Sequence, residues 1–426
     1  MKLFQRLSMA IAIAGSLATS GQVYAELTQI KAGKLIDVVQ GKVVSAPVVV
    51  IEDGIIVSVT ANGKIDNTAR LIDLSDHTLI PGLMDMHVHL TSDANKHGYK
   101  RLASSLPDVT ITGVNNAQVT LMAGFTTVRN VGAPGYADVA LKRAIEQGSI
   151  PGPRMFVSGP SIGVTGGHCD NNLLPPSYNV KSGGVADGPW AIREKIRQHI
   201  KYGADVIKFC ATGGVLSKGT KVGAQQYSQE EMNALVAEAN LRGLVTAAHA
   251  HGNDGIKAAI KAGVNSIEHA SFLDEEAIQL ALEMGTYFSM DIYTTEYILS
   301  EGEKAGILQE SLDKERVVGQ RQRDSFSAAV KAGVKMVFGS DAGVYPHGTN
   351  GAQFSRMVRF GMTPMQAIQA STINAATLLR QESNIGSIDV GKSADIIAVK
   401  GDPMENISLL EAIPFVMKQG IVYKHD

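Results

Sequence analysis

Two histidines one residue apart, His87-Val88-His89, close an apolar run that enters from Pro81-Gly82. On a strand, side chains two apart share a face. Both imidazoles would therefore enter one space, an arrangement suited to a divalent ion. His249 closes a further run in Ala247-Ala248-His249-Ala250-His251-Gly252. His269 does so in Ser266-Ile267-Glu268-His269-Ala270, and Asp341 in Phe338-Gly339-Ser340-Asp341-Ala342-Gly343. A single histidine in such a run is usually a packed residue. Four histidines and an aspartate at four separate strand ends are hard to reach by packing alone. A bound metal lowers the pKa of its water to about 7, so the chemistry these residues point to is hydrolysis.

Lys208 stands inside the apolar strand Asp205-Val206-Ile207-Lys208-Phe209-Cys210-Ala211. Burying an ammonium there is expensive. A carboxylate partner, deprotonation or chemical capping would each relieve it. In the last case carbon dioxide adds to the neutral amine and gives a carbamate, an anion whose two oxygens can bridge two metals.

The elements that must position these groups are legible in residues 81–380. Eight strand candidates, Leu83–His89, Thr126–Asn130, Arg154–Ser158, Val206–Ala211, Val245–His249, Ser266–His269, Tyr287–Asp291 and Lys335–Asp341, alternate with amphipathic stretches such as Ser228–Arg242 and Gln320–Ala332. Such alternation implies a parallel sheet. Eight units closing on themselves make a (β/α)8 TIM barrel of typically about 250 residues, with catalytic groups at the C-terminal strand ends. The expected fold class is thus α/β. Residues 26–80 read as strands around the hairpin signal Glu52-Asp53-Gly54, and residues 381–426 match them. The two chain ends are expected to build one small β-sandwich domain, because isolated hairpins are not stable alone.

The chain is 44% hydrophobic and 19% charged, with a formal net charge of −2. This suits a globular core and argues against nucleic acid as a partner. Residues 1–25 carry Lys2 and Arg6, an apolar run from Ser8 to Ala18, and Val23-Tyr24-Ala25. They read as a secretory signal cleaved after Ala25, which places the protein in the periplasm or outside the cell. The apolar run is shorter than the about 20 residues a membrane span needs, so no stable membrane insertion is expected after cleavage. Cys169 and Cys210 are the only cysteines. They are expected to pack as small hydrophobes, with pairing in an oxidising compartment as the alternative. The charge runs Glu301-Gly302-Glu303-Lys304 and Asp313-Lys314-Glu315-Arg316 read as solvated helix faces.

The set as a whole resembles the metal-dependent amidohydrolase superfamily, in the His-x-His of strand one, the strand-four lysine, single histidines on strands five and six, and the strand-eight aspartate. Lys208-Phe209-Cys210-Ala211-Thr212-Gly213-Gly214, Gly166-Gly167-His168-Cys169-Asp170, Gly339-Ser340-Asp341-Ala342-Gly343-Val344 and Pro346-His347-Gly348 resemble the prolidase-like branch of Xaa-Pro and Xaa-Arg/Lys dipeptidases. Ochratoxin-degrading amidohydrolases also resemble this branch. The resemblance spans about 27–426. It implies two divalent ions, zinc by expectation, with His87, His89 and Asp341 on one and His249 and His269 on the other. Lys208 would bridge them as N6-carboxylysine, its carbamate derived from carbon dioxide. Asp341 would carry a proton from the nucleophile to the leaving amine. It also implies a homo-oligomer, often an octamer.

His168, in a glycine-rich turn after strand three, is a candidate electrophile for the scissile carbonyl. His251 could orient a ligand or polarise substrate. Tyr227, His347 and Arg129 are candidates for the substrate α-carboxylate, and Arg129 alternatively for an internal salt bridge. Gln353 stands where the branch has an acidic residue. The expected activity is release of a C-terminal amino acid from a dipeptide or N-acyl amino acid, including ochratoxin-type amides. The alternatives are a cyclic amide, lactone or phosphotriester hydrolase on the same metals, or a non-catalytic binding protein.

Overall fold

The computed structural model describes residues 27–426; the expected signal segment lies outside them. The strand-like text at the front of the chain forms β1 (Thr28–Asp37), β2 (Lys42–Ser45), β3 (Pro47–Glu52), β4 (Ile55–Ala61) and β5 (Arg70–Pro81). The central segment carries β6 (Leu83–Val88), β7 (Phe125–Asn130), β8 (Arg154–Val157), β9 (Val206–Cys210), β10 (Val245–Ala250), β11 (Ser266–His269), β12 (Tyr287–Ser289) and β13 (Met336–Val337). The tail adds β14 (Ile396–Lys400), β15 (Phe415–Lys418) and β16 (Ile421–His425).

The two chain ends do join, but in one hydrogen-bonded sheet. Its order is β16-β15-β14-β5-β1-β3-β4, with β2 on β1. β5, long enough to pair with both β1 and β14, carries the ladder across, and the sheet doubles back so that Gly54 of the β3–β4 turn accepts from Ala394 N at 2.8 Å. Its inner face is aliphatic: Ile30, Val49, Leu79, Ile396 and Met417 are fully buried together.

The central segment is TIM-barrel-type. Its strands pair in parallel, β6-β7-β8 in one sheet and β9 to β13 in another. Bridges meet at both seams, Val88 with Ala342 and Ile162 with Phe209. Backbone hydrogen bonds from Met86 N to Phe338 O and from Ile162 N to Lys208 O, both 2.8 Å, reinforce them. β12 and β13 are shorter than the sequence suggests, because the chain leaves the ladder before Asp291 and Asp341 and bends both into the mouth. Helices cover the outside. Ser228 caps Gln229–Leu241 through a reciprocal box with Glu231, satisfying two end donors. The helix expected from Gln320 starts earlier, at Gln309. It takes in the charge run there, whose Glu315 is buried rather than solvated.

One ion pair crosses the barrel interior. Arg129 on β7 and Glu268 on β11 are both fully buried, 2.7 Å apart. Arg129 also donates from Nε to the Met86 carbonyl on β6 (2.6 Å) and from Nη1 to Ser266 Oγ (2.9 Å). The sequence reading of Arg129 as a substrate-carboxylate partner is therefore corrected. All three nitrogens are spent inside the barrel, in the salt bridge that was its alternative. Breaking a buried pair from one side strands a charge and costs about 3–5 kcal/mol, whereas replacing both partners is often close to neutral. Arg129→Met is expected to destabilise the metal-free protein by about that much, and Arg129→Met with Glu268→Leu by far less. Guanidinium unfolding midpoints of the three proteins check this.

Candidate metal centre

Five of the six expected ligands sit at or next to the end of a barrel strand, and Lys208 lies within one. His87 and His89 close β6, Lys208 lies on β9, His249 on β10, His269 ends β11, and Asp341 follows β13. All six line one cavity of about 820 Å³. Two of them hold strained backbone: His269 has φ 71° and Asp341 φ 56°. Left-handed φ is uncommon outside glycine and clusters at functional sites. At His269 it breaks the two-residue alternation, so neighbours in sequence reach the same ring. Glu268 Oε2 stands 3.0 Å from His87 Nδ1, and the His269 ring centroid is 5.0 Å from that of His87.

Donors converge in three overlapping groups, each with its ligand atoms within 4.8 Å of one another. They are His87, His89 and Asp341; His249, His251 and His269; and His269, Asp291 and Asp341. Asp341 Oδ1 lies 3.3 Å from Nε2 of both His87 and His89. Burial works against its carboxylate, but the two imidazoles outweigh that and hold its pKa well below the usual range. His249 Nε2 is buried with no hydrogen-bond partner among the described residues. A buried nitrogen left unpaired is costly unless a ligand takes it, so the donor set fits a metal. Burial lowers the Lys208 pKa to about 8, against the pull of Glu268 and Asp341. A larger share of its amine is neutral at neutral pH than for an ordinary lysine.

Around the ligands lie their supports. His269 Nδ1 is 2.8 Å from Asp291 Oδ1, which also accepts from Gln322 Nε2 at 2.8 Å. Asp85 accepts from the backbone N–H groups of His87 (3.1 Å) and Ser340 (3.0 Å), tying β6 to the Asp341 turn. Neither Asp291 nor Glu268 was singled out from the sequence. The signal was present in both: an acid closing a strand, and a charge inside an apolar strand, which is the argument applied to Lys208.

His168 and His251 line the cavity as expected. The His168 ring stacks on His249 with centroids 4.0 Å apart, and its Nδ1 meets Ser217 Oγ at 2.8 Å. Burial, then the nearby cations, lower its pKa to about 3, so it is neutral at physiological pH. His251 stacks on His269 at 4.8 Å and meets Ser271 Oγ at 2.7 Å. Tyr227 and His347 do not line the cavity, and their expected contact with a substrate carboxylate is corrected. The Tyr227 hydroxyl donates to the Ala186 carbonyl at 2.7 Å. The His347 nitrogens meet Thr120 Oγ1 and the His89 carbonyl, each at 3.2 Å. Gln353 is fully buried and is likewise spent on the backbone of Met290, Gly339 and Tyr293.

The cysteines also depart from expectation. Cys169 and Cys210 form a disulfide, with Cα atoms 6.0 Å apart. The loop after β8 folds back over the end of β9, a proximity that sequence separation conceals.

Residues 78–424 match the model of the amidohydrolase family. Ochratoxinase from Aspergillus niger is 33% identical over 430 residues, covering 94% of this chain and 87% of the relative. The crystal structure of a Xaa-Pro dipeptidase with methionine bound in its active site is similar at a TM-score of 0.87 and 41% identity, covering 93% of this chain and 100% of that one. A prolidase complexed with N-methylphosphonate-L-proline is similar at a TM-score of 0.86 and 30% identity, covering 94% and 100%. Amidohydrolases of this kind are metal-dependent, in keeping with the histidine and aspartate clusters of the cavity. The chain belongs to the amidohydrolase family, in its prolidase- and ochratoxinase-like branch, and is a hydrolase of amide bonds with a small-molecule substrate.

Proposed function

We propose that this protein is an exported, binuclear metallohydrolase that releases the C-terminal amino acid from dipeptides or N-acyl amino acids. The observation that carries the reading is the convergence of His87, His89, His249, His269 and Asp341 on one cavity, with His249 Nε2 otherwise unpaired. In this reading His87, His89 and Asp341 would hold one ion and His249 and His269 the other, and Lys208, whose partly neutral amine favours carbamate formation, would supply a further ligand to them. The ions are zinc, the two parallel sheets act as one eight-stranded barrel, and the protein works as an oligomer outside the cytoplasm. The disulfide supports export, because such bonds persist in oxidising compartments.

When bound, the ions supply a nucleophile by lowering the pKa of water to about 7. Asp341 takes the nucleophile's proton and hands it to the departing amine. His168 is neutral, and in the tautomer whose Nδ1 accepts from the Ser217 hydroxyl its Nε2–H donates to the scissile carbonyl oxygen. His251 orients the ring of His269. The names of the relatives support an amide whose departing half is an amino acid: ochratoxinase, a Xaa-Pro dipeptidase holding methionine, and a prolidase holding a proline phosphonate. The cavity walls carry Leu102, Leu106, Leu173, Leu174, Val215 and Leu216, which suits an apolar acyl or side-chain group.

With Arg129, Tyr227 and His347 committed elsewhere, Arg101 becomes the candidate for the substrate α-carboxylate. It lines the cavity, and its guanidinium has no acidic partner among the described residues. A charge-assisted hydrogen bond contributes about 1.5–3 kcal/mol. Arg101→Ala is thus expected to raise KM about ten- to hundredfold with little change in kcat, the signature of lost ground-state binding. Steady-state kinetics check it.

The function itself is tested with a library of dipeptides and N-acyl amino acids, set beside lactones and phosphotriesters, on protein reconstituted with zinc and bicarbonate. Amide turnover with release of a free amino acid, and about two ions per chain, is expected. Lactone or phosphotriester turnover with no amide turnover overturns the reading. Lys208→Ala is expected to lose bound metal and at least about a hundredfold in kcat; a variant that keeps both excludes Lys208 as a ligand.

A further inference from the structure

Cys169 directly follows His168, and Cys210 lies two residues past Lys208 on β9. The disulfide between them closes over one of the two barrel seams. At that seam Ile162 pairs with Phe209, donates to Lys208 O at 2.8 Å and accepts from Cys210 N at 2.9 Å. β8 ends at Val157, so His168 is carried on a loop well beyond the ladder. Two further restraints on His168 come from the chain that continues from Cys210, while its loop is also tied to residues 182–187 through Thr165 and Asp170. Ser217 Oγ meets Nδ1 at 2.8 Å, and Gln226 Oε1 accepts the His168 backbone N–H at 3.1 Å. The disulfide is the covalent member of this set, pinning the loop to the same segment beside the ring.

The packing there has no slack. A Cβ at Gly163 would fall 2.6 Å from Cys169 Cβ. One at Gly214 would meet the His168 ring at 2.4 Å and His249 Nε2 at 2.7 Å. Glycine is required at both positions by close approach, and a small shift of the loop moves His168 off the His249 face. Both cysteines line the cavity, so a small reductant entering it reaches the bond.

We infer that the Cys169–Cys210 disulfide is a positioning bond for catalysis: it holds His168 stacked over His249, and opening it lowers turnover through His168 rather than through the fold or the metal ligands. The inference rests on the proposed function only in that His168 acts on the substrate carbonyl. A misplacement of about 1 Å at a catalytic group can cost about a hundredfold, and losing a carbonyl donor costs about 10²–10³. Reduction by a water-soluble phosphine is balanced without a further reactant. The disulfide gains two electrons and two protons to give two thiols, and phosphorus is oxidised to the phosphine oxide with oxygen from water.

The test uses the full, zinc-loaded protein before and after treatment with tris(carboxyethyl)phosphine, beside a Cys169→Ser/Cys210→Ser double variant and a His168→Ala variant. Four quantities are read: kcat, KM, bound zinc, and hydrogen–deuterium exchange of residues 161–174. Expected on reduction, and in the double variant, is a kcat lower by about ten- to hundredfold, with KM and bound zinc nearly unchanged. Faster exchange should be confined to 161–174. In His168→Ala, reduction should change kcat by less than about threefold, because coupled residues are not additive. An unchanged kcat after both thiols are shown free by alkylation overturns the inference. So does an equal proportional loss in His168→Ala, or exchange rising throughout the barrel, which would make the bond a staple of the whole fold. If no substrate of the library is turned over, the proposed function fails, and the exchange measurement alone decides whether the bond holds the His168 loop.

Discussion

The buried pair of Arg129 and Glu268 is the constraint on which the rest of the site depends. Two full charges have been drawn out of water into a barrel interior, where each is tolerable only because the other is there. The guanidinium spends its remaining donors on Met86 and Ser266. Strands β6, β7 and β11, which are remote in sequence, are thereby held at one spacing. Glu268 then holds its second oxygen 3.0 Å from His87 Nδ1, a charge set directly beside a ring of the centre. The ion pair that organises the barrel interior thus also borders the centre.

Above that layer the backbone itself is bent to the task. His269 and Asp341 sit in the left-handed region, at a cost of about 1 kcal/mol or more each. The neighbouring residues repay it. Asp291 anchors His269, while Asp85 and Ser340 anchor the turn that carries Asp341. The result is a cavity floor dense in imidazole and carboxylate, with aliphatic walls above it. Burial disfavours every charge there. His249 and His251 are held neutral and Lys208 is pushed toward its neutral amine, which are the protonation states in which nitrogen can bind a metal or carbon dioxide.

Much of this was legible in the chain because it follows from short-range rules. Alternating apolar strands and amphipathic stretches specify a parallel α/β core. A polar residue that closes an apolar strand has few places to go except the barrel mouth, so His87, His89, His249, His269 and Asp341 were readable as one set. Lys208 was readable because the cost of a buried cation does not depend on what surrounds it. The same argument applied to Glu268 would have found half of the interior ion pair, but its partner could not be chosen from the sequence. Pairing across a barrel is set by which strands face each other.

Residue type and position along the chain therefore determined the fold class and the set of candidate metal ligands. Tertiary structure alone decided the rest. It turned Arg129 inward to Glu268, tied Tyr227 to Ala186 and His347 to the back of His89, and left Arg101 facing the cavity. It also brought Cys169 onto Cys210, across a seam between strands that no local pattern marks. The physical reason is the same in each case. A strand end commits a side chain to the mouth by geometry that the chain carries within itself, whereas a loop or a long polar side chain finds its partner only after distant segments have been packed against one another.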